Sequence, residues 1–245
     1  MLCCPGEDRQ EVNLEILPLG LAWYVVFVIS VTVHEAAHSF VAMKLGDKTA
    51  YHQGQVTLDP VPHIRREPVG MIIVPIVTFL LGGWMLGWAS APYDPYWAQR
   101  YPKRAAWMGL AGPAGNIGLV LLAGVFIHIG IWMGMFYAPE TITFSVVVEA
   151  NSDGLVKGLA VMASIMFSLN LILFVFNLIP IAPLDGTALM EFVLKGEALR
   201  KYRYAMENPN IRIFGFIIAW TVFDVIFSPI HVIALNLLYP GSWYH

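Results

Sequence analysis

Long apolar stretches separated by short polar segments dominate the sequence. A helix needs about 20 apolar residues to cross the hydrocarbon core of a bilayer. Five stretches are long enough, at residues 19–45, 69–91, 105–138, 158–181 and 213–238. The segments between them are too short for a separate soluble domain, so the pattern predicts an all-α polytopic membrane protein. We expect a single domain over residues 1–245, a bundle of about four to six transmembrane helices with its core at residues 19–189 and an added C-terminal span at 213–238.

The composition is that of a protein surrounded by lipid. Hydrophobic residues make up 58% of the chain and charged residues 13%, against about 45–50% and 25% in soluble domains. The net charge is −3, and no basic cluster argues for nucleic acid as a partner. The two cysteines, Cys3 and Cys4, are adjacent and cannot readily form an unstrained disulfide. The lipid bilayer is therefore the partner that the composition indicates.

The second apolar stretch either crosses the membrane or enters and leaves it on the same side. Basic residues flank both of its ends, which a simple crossing does not produce under the positive-inside rule. One proline and three glycines allow it to bend: Pro75, Gly82, Gly83 and Gly87. We therefore favour a re-entrant hairpin, and residues 105–138 then hold one tilted span or a tight hairpin around Gly130 and Gly134. If the second stretch crosses, residues 105–138 must contain two spans.

Lysine and arginine cluster in three of the polar segments. The clusters follow the first span, precede the third stretch and separate the last two spans: Lys44, Lys48, Arg65 and Arg66; Arg100, Lys103 and Arg104; Lys195, Arg200, Lys201, Arg203 and Arg212. Residues 141–157 contain one lysine, whereas Glu140, Glu149 and Asp153 lie in or beside them. Because cytoplasmic loops are enriched in lysine and arginine, we expect a multi-pass integral membrane protein with the three clusters in the cytoplasm.

The motif His-Glu-Ala-Ala-His at residues 34–38 lies inside the first apolar stretch. An ionisable side chain at the centre of a membrane helix costs roughly 2.5–3.5 kcal/mol on insertion scales, so its presence indicates a function. Residues four apart share a helix face, and His34 and His38 can therefore bind one metal ion. Glu35 is adjacent to the first of these ligands and can reach a water molecule at the metal without binding the metal itself.

A catalytic zinc ion usually has three protein ligands and a water molecule. Asp185 is the best candidate for the third ligand, because it follows the fourth apolar stretch at its expected cytoplasmic end, as His38 does in the first. Pro180 and Pro183 end the helix, and Gly186 allows a sharp turn that aims the carboxylate inward. Alternatively, Asp185 caps the helix that follows. Its matching depth with the histidines favours a zinc ligand.

Three motifs occur in order along the apolar segments. They are His-Glu-x-x-His at residues 34–38, Ala-Gly-Pro-Ala-Gly-Asn at 111–116 and Asn-x-x-Pro…Leu-Asp-Gly at 177–186. With them, the chain resembles the site-2 proteases, a family of intramembrane zinc metalloproteases. Residues 55–64 also look like the segment that follows the zinc helix in compact bacterial and archaeal members. The resemblance covers residues 33–189. The sequence departs from some members in lacking a PDZ insertion, a nucleotide-binding regulatory domain and an additional N-terminal span, so we expect the compact form of the family.

The resemblance implies a zinc-dependent endopeptidase that hydrolyses peptide bonds within or beside the membrane. One Zn²⁺ per chain would be held by His34, His38 and Asp185, and Glu35 would be the catalytic base. Gly112 and its neighbours would let helices approach closely beside the metal. The substrate would be a transmembrane protein, and the site would lie towards the cytoplasmic side of a prokaryotic plasma membrane. No feature of the sequence sets an oligomeric state.

Four residues in an alternating run and two asparagines are candidates for substrate binding. The run consists of Gln55, Val56, Thr57 and Leu58. It predicts a short strand near the membrane surface, whose free edge would pair with an unwound substrate segment. Asn116 would donate to the substrate backbone or to the developing oxyanion, or else form a helix–helix hydrogen bond. For Asn177 the alternatives are likewise a contact with substrate and a structural hydrogen bond. We favour the structural role, in which Asn177 braces the bend at residues 180–183.

The alternative function is a membrane metal transporter or metal sensor that uses the same His34, His38 and Asp185 site. A transport path needs further ligands along its length, and the sequence contains no second cluster of comparable spacing. Asp224 and His231, seven residues apart in the last stretch, share a helix face. One interpretation is that they form a second site or a gate. We favour the other, in which they are a packed polar pair.

Overall fold

The structure is a computed structural model that describes residues 7–241 and 244, with side chains from residue 16 onward. The elements follow in the order α1 (Glu7–Leu45), α2 (Thr49–His52), α3 (Pro60–Arg66), a π-helical turn (Val69–Ile73), α4 (Val74–Gly82), α5 (Pro95–Arg100), α6 (Pro102–Trp132), β1 (Phe136–Tyr137), β2 (Glu149–Ala150), α7 (Leu155–Asn177), a 3₁₀ turn (Asp185–Leu189), α8 (Met190–Val193), α9 (Gly196–Glu207) and α10 (Pro209–Leu238). Cys3 and Cys4 lie outside the described residues.

Four of the described helices are long and apolar enough to cross a bilayer. They are α1 from Ile16 onward, α6, α7 and α10. The predicted polytopic helical membrane protein is therefore confirmed. The helices correspond to the first, third, fourth and fifth apolar stretches of the sequence.

The second apolar stretch folds as a hairpin. Its helical arm (Val69–Gly82) is about 21 Å long at 1.5 Å per residue, short of the roughly 30 Å of hydrocarbon core. The arm ends at Gly83, where φ is +74°. The return arm (residues 84–91), which is neither helix nor strand and is called the extended arm below, comes back against it. The Trp88 N–H donates to the Gly70 carbonyl at 3.2 Å. The stretch thus folds as a hairpin, as we favoured, and its helical arm is too short for a simple crossing.

The third apolar stretch holds one span. α6 is a single helix, and the chain turns only after it, at Gly134, where φ is +71°. The turn leads into β1, which pairs antiparallel with β2 so that Phe136 lies opposite Ala150. Gly130 makes room for the ring of Phe136, because a Cβ on Gly130 would lie 2.0 Å from that ring. The alternative of two spans within residues 105–138 is therefore wrong, and the turn around Gly130 and Gly134 comes only at the end of the single span.

The strand predicted at residues 55–58 is wrong, because this run is bent into the N-terminal cap of α3. The Gln55 side chain is 4% exposed, and its amide donates to the Pro62 carbonyl at 3.1 Å. Thr57 Oγ1 accepts from the Asp59 N–H at 3.0 Å, and the Asp59 carboxylate in turn accepts from the Val61 N–H at 3.0 Å. These local hydrogen bonds compete with the extended backbone that a strand needs.

Helices α1, α6 and α7 form the core of the bundle, with α6 packed against both of the others. Buried side chains of α6 and α7 pack on the β1–β2 connection, and those of α1 pack on α7 and on the hairpin of residues 69–91. α10 contacts α7 and α9. Only four of its side chains are buried: Ala219, Phe227, Leu235 and Leu238. α10 therefore stands away from α1, and a cavity lies between them.

Candidate metal centre

The structure brings His34, His38 and Asp185 together, as the sequence predicts. One ligand atom from each side chain lies within 4.8 Å of the other two. His34 Nε2 is 3.0 Å and His38 Nε2 is 3.2 Å from Asp185 Oδ2, and the two Nε2 atoms are 3.0 Å apart. The imidazoles face the same way because α1 continues unbroken through both positions. Asp185 begins the 3₁₀ turn after α7, and its side chain does not cap the following helix.

The hydrogen bonds behind the imidazoles fit a bound cation. The His34 Nδ1–H donates to Asn116 Oδ1 at 2.6 Å, and the His38 Nδ1–H donates to the Met108 carbonyl at 2.7 Å. With hydrogen on both Nδ1 atoms, each neutral ring presents a lone pair on Nε2. Asp185 Oδ2 is buried and receives no hydrogen bond from the described residues. Three lone pairs thus converge without a hydrogen between them.

The spacing and chemistry of this group suit zinc. Zinc bonds to histidine nitrogen and carboxylate oxygen are about 2.0–2.2 Å long, so tetrahedral ligands stand about 3.3 Å apart. The observed separations of 3.0–3.2 Å are close to this value. Gly112 of α6 keeps the space open, since a Cβ there would lie 2.3 Å from His38 Nε2 and 2.5 Å from His34 Nε2. The expected close approach of a helix beside the metal is therefore present.

Glu35 lies beside the three candidate ligands. Its side chain is 5% exposed. It lines a small cavity of about 240 Å³ together with His34, His38 and Asp185.

A second, larger cavity of about 1180 Å³ reaches two of these residues, His34 and Glu35, from within the bundle. It lies between α1, the hairpin, α7 and α10, and both His34 and Glu35 line its inner wall. Aromatic side chains form much of its outer wall: Trp84, Trp88, Phe176, Phe216, Trp220 and Phe223. Trp84 of the hairpin stacks on Trp220 of α10 with ring centroids 6.0 Å apart. The sequence analysis missed this cavity, because its walls come from segments far apart in the chain.

The two asparagines occupy different positions. Asn116 is fully buried behind His34, and its amide nitrogen donates to Asn170 Oδ1 at 2.8 Å. Both ends of its carboxamide are thus engaged, which favours the helix–helix hydrogen bond over contact with substrate. Asn177 lines both cavities, and its amide donates to the Leu173 carbonyl one turn back at 3.0 Å. The expected bracing of the bend after α7 is not among its hydrogen bonds.

The extended arm of the hairpin lines the two cavities, whereas the substrate-binding candidates Gln55, Val56, Thr57 and Leu58 do not. Seven of the eight residues 84–91 line a cavity, all except the buried Met85, from Trp84 in the large cavity to Ser90 and Ala91 in the small one. The glycines at 82, 83 and 87 were the available indication that this stretch bends, but nothing in its pattern indicated an extended arm.

Asp224 and His231 do not form the packed pair that we favoured. Asp224 lines the large cavity. His231 stacks on Phe227, with ring centroids 5.2 Å apart and an interplanar angle of 19°. The two side chains of α10 therefore lie in different surroundings. Asp224 is exposed, whereas His231 is partly buried.

Comparison with known proteins agrees with the motifs and with the geometry. The model of peptidase family M50 matches residues 22–222. The chain is 33% identical over 177 residues to YwhC of Bacillus subtilis (strain 168), named as a zinc metalloprotease, in a match covering 71% of this chain and 70% of that protein. It is 30% identical over 199 residues to Rip2 of Mycobacterium tuberculosis (strain H37Rv), also named as a zinc metalloprotease; this match covers 76% of this chain and 64% of Rip2.

The chain therefore spans less than two thirds of the length of Rip2. No solved structure matches it. The family model, however, covers most of the chain, including both histidines and Asp185. The protein thus belongs to peptidase family M50, the site-2 protease family, and is an integral membrane zinc metalloprotease.

Proposed function

We propose that this protein is a zinc-dependent intramembrane endopeptidase that hydrolyses peptide bonds in or near transmembrane segments of membrane-protein substrates. His34, His38 and Asp185 would hold the zinc ion. One observation carries the proposal: the three ligand atoms, from α1 and from the turn after α7, converge within 3.2 Å beside the small cavity that all three residues line. His34 also lines the large apolar cavity inside the bundle.

Glu35 is the proposed general base and acid. Zinc, when bound, lowers the pKa of water from 15.7 towards about 7 and polarises the scissile carbonyl. The Glu35 carboxylate accepts the proton of the attacking water and later delivers it to the leaving amine. Its place in the same small cavity as the ligands supports this role.

The large cavity is the proposed position of the substrate. A helix with its side chains is about 10 Å across, so 1180 Å³ corresponds to roughly 15 Å of helix, or about ten residues. Its walls are mostly apolar and aromatic, which suits a segment that leaves the lipid. The substrate would enter as a transmembrane segment and meet His34 and Glu35 at the inner wall.

The substrate backbone must be unwound before attack, because a helix keeps its carbonyls in internal hydrogen bonds. The extended arm at residues 84–91 is the proposed partner for the unwound segment, since a neighbouring extended chain satisfies its exposed N–H and C=O groups. Asn177, which lines both cavities next to this arm, is the proposed side-chain partner of the substrate backbone.

The catalytic site is proposed to lie towards the cytoplasm of a prokaryotic plasma membrane. Successive spans alternate in direction, so the connections on either side of α6 lie on opposite sides of the bilayer. This places all three basic clusters on the side of Asp185 and the acidic β1–β2 connection on the other side. The distribution satisfies the positive-inside rule.

The alternative of a metal transporter or sensor has less support. Within the described residues, His34, His38 and Asp185 are the only cluster of three potential ligands of this kind. A path for metal ions would need a second one. Zinc flux into liposomes containing the purified protein would favour transport, and retention of zinc without flux would exclude it.

The test compares cells that carry the wild-type protein with cells that carry Glu35→Gln. We expect membrane-protein fragments in the wild type that disappear in the variant, while the purified variant keeps its zinc. Glu197→Gln is the matched control, because Glu197 is an exposed residue of α9 paired with Lys201. Cleavage at the wild-type rate by Glu35→Gln would refute the proposed role of Glu35.

A further inference from the structure

A chain of buried polar side chains leads from the metal centre into the bundle. Ser30 of α1, Asn116 of α6 and Asn170 of α7 are each 0% exposed. Polar groups inside a membrane bundle are costly unless they are hydrogen-bonded, and such residues indicate a function. Asn170 has no part in the motifs of the family resemblance, so its position needs an explanation of its own.

The direction of the hydrogen bonds is determined at the far end of the chain. The Asn170 amide nitrogen donates to the Met166 carbonyl at 2.8 Å and to Ser30 Oγ at 2.8 Å. A carbonyl only accepts, and the Ser30 hydroxyl uses its hydrogen on the Val26 carbonyl at 2.7 Å. The NH₂ group of Asn170 must therefore face these acceptors, and its Oδ1 must face Asn116.

The orientation then passes to the imidazole. The Asn116 amide nitrogen donates to Asn170 Oδ1 at 2.8 Å and more weakly to the Ser30 carbonyl at 3.5 Å, which leaves Asn116 Oδ1 to face His34. That oxygen accepts from the His34 Nδ1–H at 2.6 Å. If Asn116 were turned around, its NH₂ group would face Nδ1, the hydrogen would move to Nε2, and Nε2 would have no lone pair for a metal.

We infer that Asn170 is a positioning residue that holds His34 in its metal-binding tautomer by orienting the Asn116 carboxamide. The inference rests on the proposed role of His34 as a zinc ligand. His38 needs no such chain, because its Nδ1–H donates directly to the Met108 carbonyl, which cannot be turned around. Of the two imidazoles, only that of His34 depends on an amide that has two orientations.

The first test measures the zinc affinity of the purified full-length protein by competition with a chelator. Asn170→Leu keeps the size of the side chain and removes its hydrogen-bonding groups. Losing a direct partner of a metal ligand costs roughly 10–100-fold in metal affinity. Asn170 acts one hydrogen bond further out, so we expect zinc affinity to fall about tenfold, at the lower end of that range. Ser168→Ala is the matched control, since Ser168 is fully buried on the same helix and its hydroxyl has no hydrogen-bond partner among the residues that the structure describes. Its zinc affinity is expected to be unchanged.

An Asn116→Asp background separates the tautomer from general damage to packing. A carboxylate accepts with either oxygen, so this variant keeps the hydrogen on His34 Nδ1 whichever way the group is turned. Asn170→Leu is therefore expected to weaken zinc binding in the wild-type background and to have no further effect in the Asn116→Asp background. Equal weakening in both backgrounds, or no weakening in either, overturns the inference.

The tautomer itself is measured by ¹⁵N NMR of the histidine side chains in the metal-free protein, with His34 assigned from a His34→Gln sample. We expect hydrogen on Nδ1 in the wild type and a mixture of tautomers in Asn170→Leu, or in Asn170→Ala if the leucine variant does not fold. An unchanged His34 spectrum in these variants refutes the positioning role. Zinc binding by the His34→Gln variant at the wild-type affinity would instead refute the proposed zinc site. The failure of the positioning role and the failure of the zinc site are therefore distinguishable.

Discussion

Gly87 and Gly70 bring the two arms of the hairpin into direct backbone contact. A Cβ on Gly87 would lie 2.2 Å from the Gly70 carbonyl oxygen and 2.5 Å from the ring of Phe27. No side chain fits between the arms. The position of the extended arm along the large cavity therefore depends on the absence of a side chain at residue 87.

Gly87→Ala is expected to displace the extended arm and to lower kcat/KM for a transmembrane substrate by about 100-fold, because a displacement of 1 Å at a positioning element has an effect of this size. Zinc content is expected to stay at the wild-type level, since the metal centre lies on other elements. Gly158→Ala on α7 is the matched control, because a Cβ there meets nothing within 4 Å. Wild-type cleavage by Gly87→Ala would show that the arm does not position the substrate.

Gly112→Ala is expected to lower zinc affinity by more than about tenfold and to abolish cleavage, because the added Cβ would occupy the space between the two imidazoles. Zinc content and peptide cleavage of the purified protein check this. Gly118→Ala on the same helix adds the same methyl group into open space. Alanine favours a helix over glycine by about 1 kcal/mol, so the control is expected to be at least as stable as the wild type with normal zinc affinity.

The spans and the histidine pair could be predicted because both depend on local spacing. Twenty apolar residues in sequence indicate a crossing wherever they pack, and a separation of four places His34 and His38 on one face of any α-helix. The prediction of Asp185 as the third ligand needed a second argument, namely that the first and fourth apolar stretches end at equal depth in the membrane. This depth also follows from the lengths of the stretches. The four spans and the convergence of these side chains agree with that reasoning.

The cavity walls could not be predicted in this way, and the strand predicted at residues 55–58 is wrong. The alternation at residues 55–58 is typical of a strand, but the Gln55 amide is buried on Pro62 and the run turns into the cap of α3. The extended arm at residues 84–91 has no alternation and is held by contacts between glycines 17 residues apart, Gly70 and Gly87. The hydrogen bond between Asn116 and Asn170 depends on how α1, α6 and α7 pack together, and no local sequence pattern predicts that packing.

Removal of zinc is expected to abolish cleavage and to lower thermal stability, because three converging lone pairs then lose the cation between them. Zinc restored at 100 times its Kd is expected to stabilise the folded state by about 2.7 kcal/mol through mass action. Asp185→Ala is expected to show neither cleavage nor a zinc-dependent rise in Tm. Differential scanning of the chelated and zinc-supplemented proteins measures this, and a zinc-dependent rise of the wild-type size in Asp185→Ala would exclude Asp185 as a ligand.

Asp47, just after α1, is expected to make stability depend on acid pH. Burial opposes its charge, but hydrogen bonds from the Thr49 side chain and from the Asp94 and Thr49 N–H groups outweigh burial and hold its pKa below the ordinary value of 3.8. A lowered pKa stabilises the folded state above about pH 4. This contribution is lost as the pH falls through the folded pKa.

Asp47→Asn is therefore expected to be about 1–2 kcal/mol less stable than the wild type at pH 7, with the difference shrinking as the pH falls below 4. Unfolding is measured on the chelated protein, so that release of zinc by acid does not contribute. Asp153→Asn is the matched control, because Asp153 is exposed and its pair with Lys157 spans 3.5 Å at the surface. Such pairs contribute little, so this variant is expected to follow the wild type at every pH. A constant difference between Asp47→Asn and the wild type from pH 7 down to pH 3 would show that the charge of Asp47 does not stabilise the connection between α1 and α5.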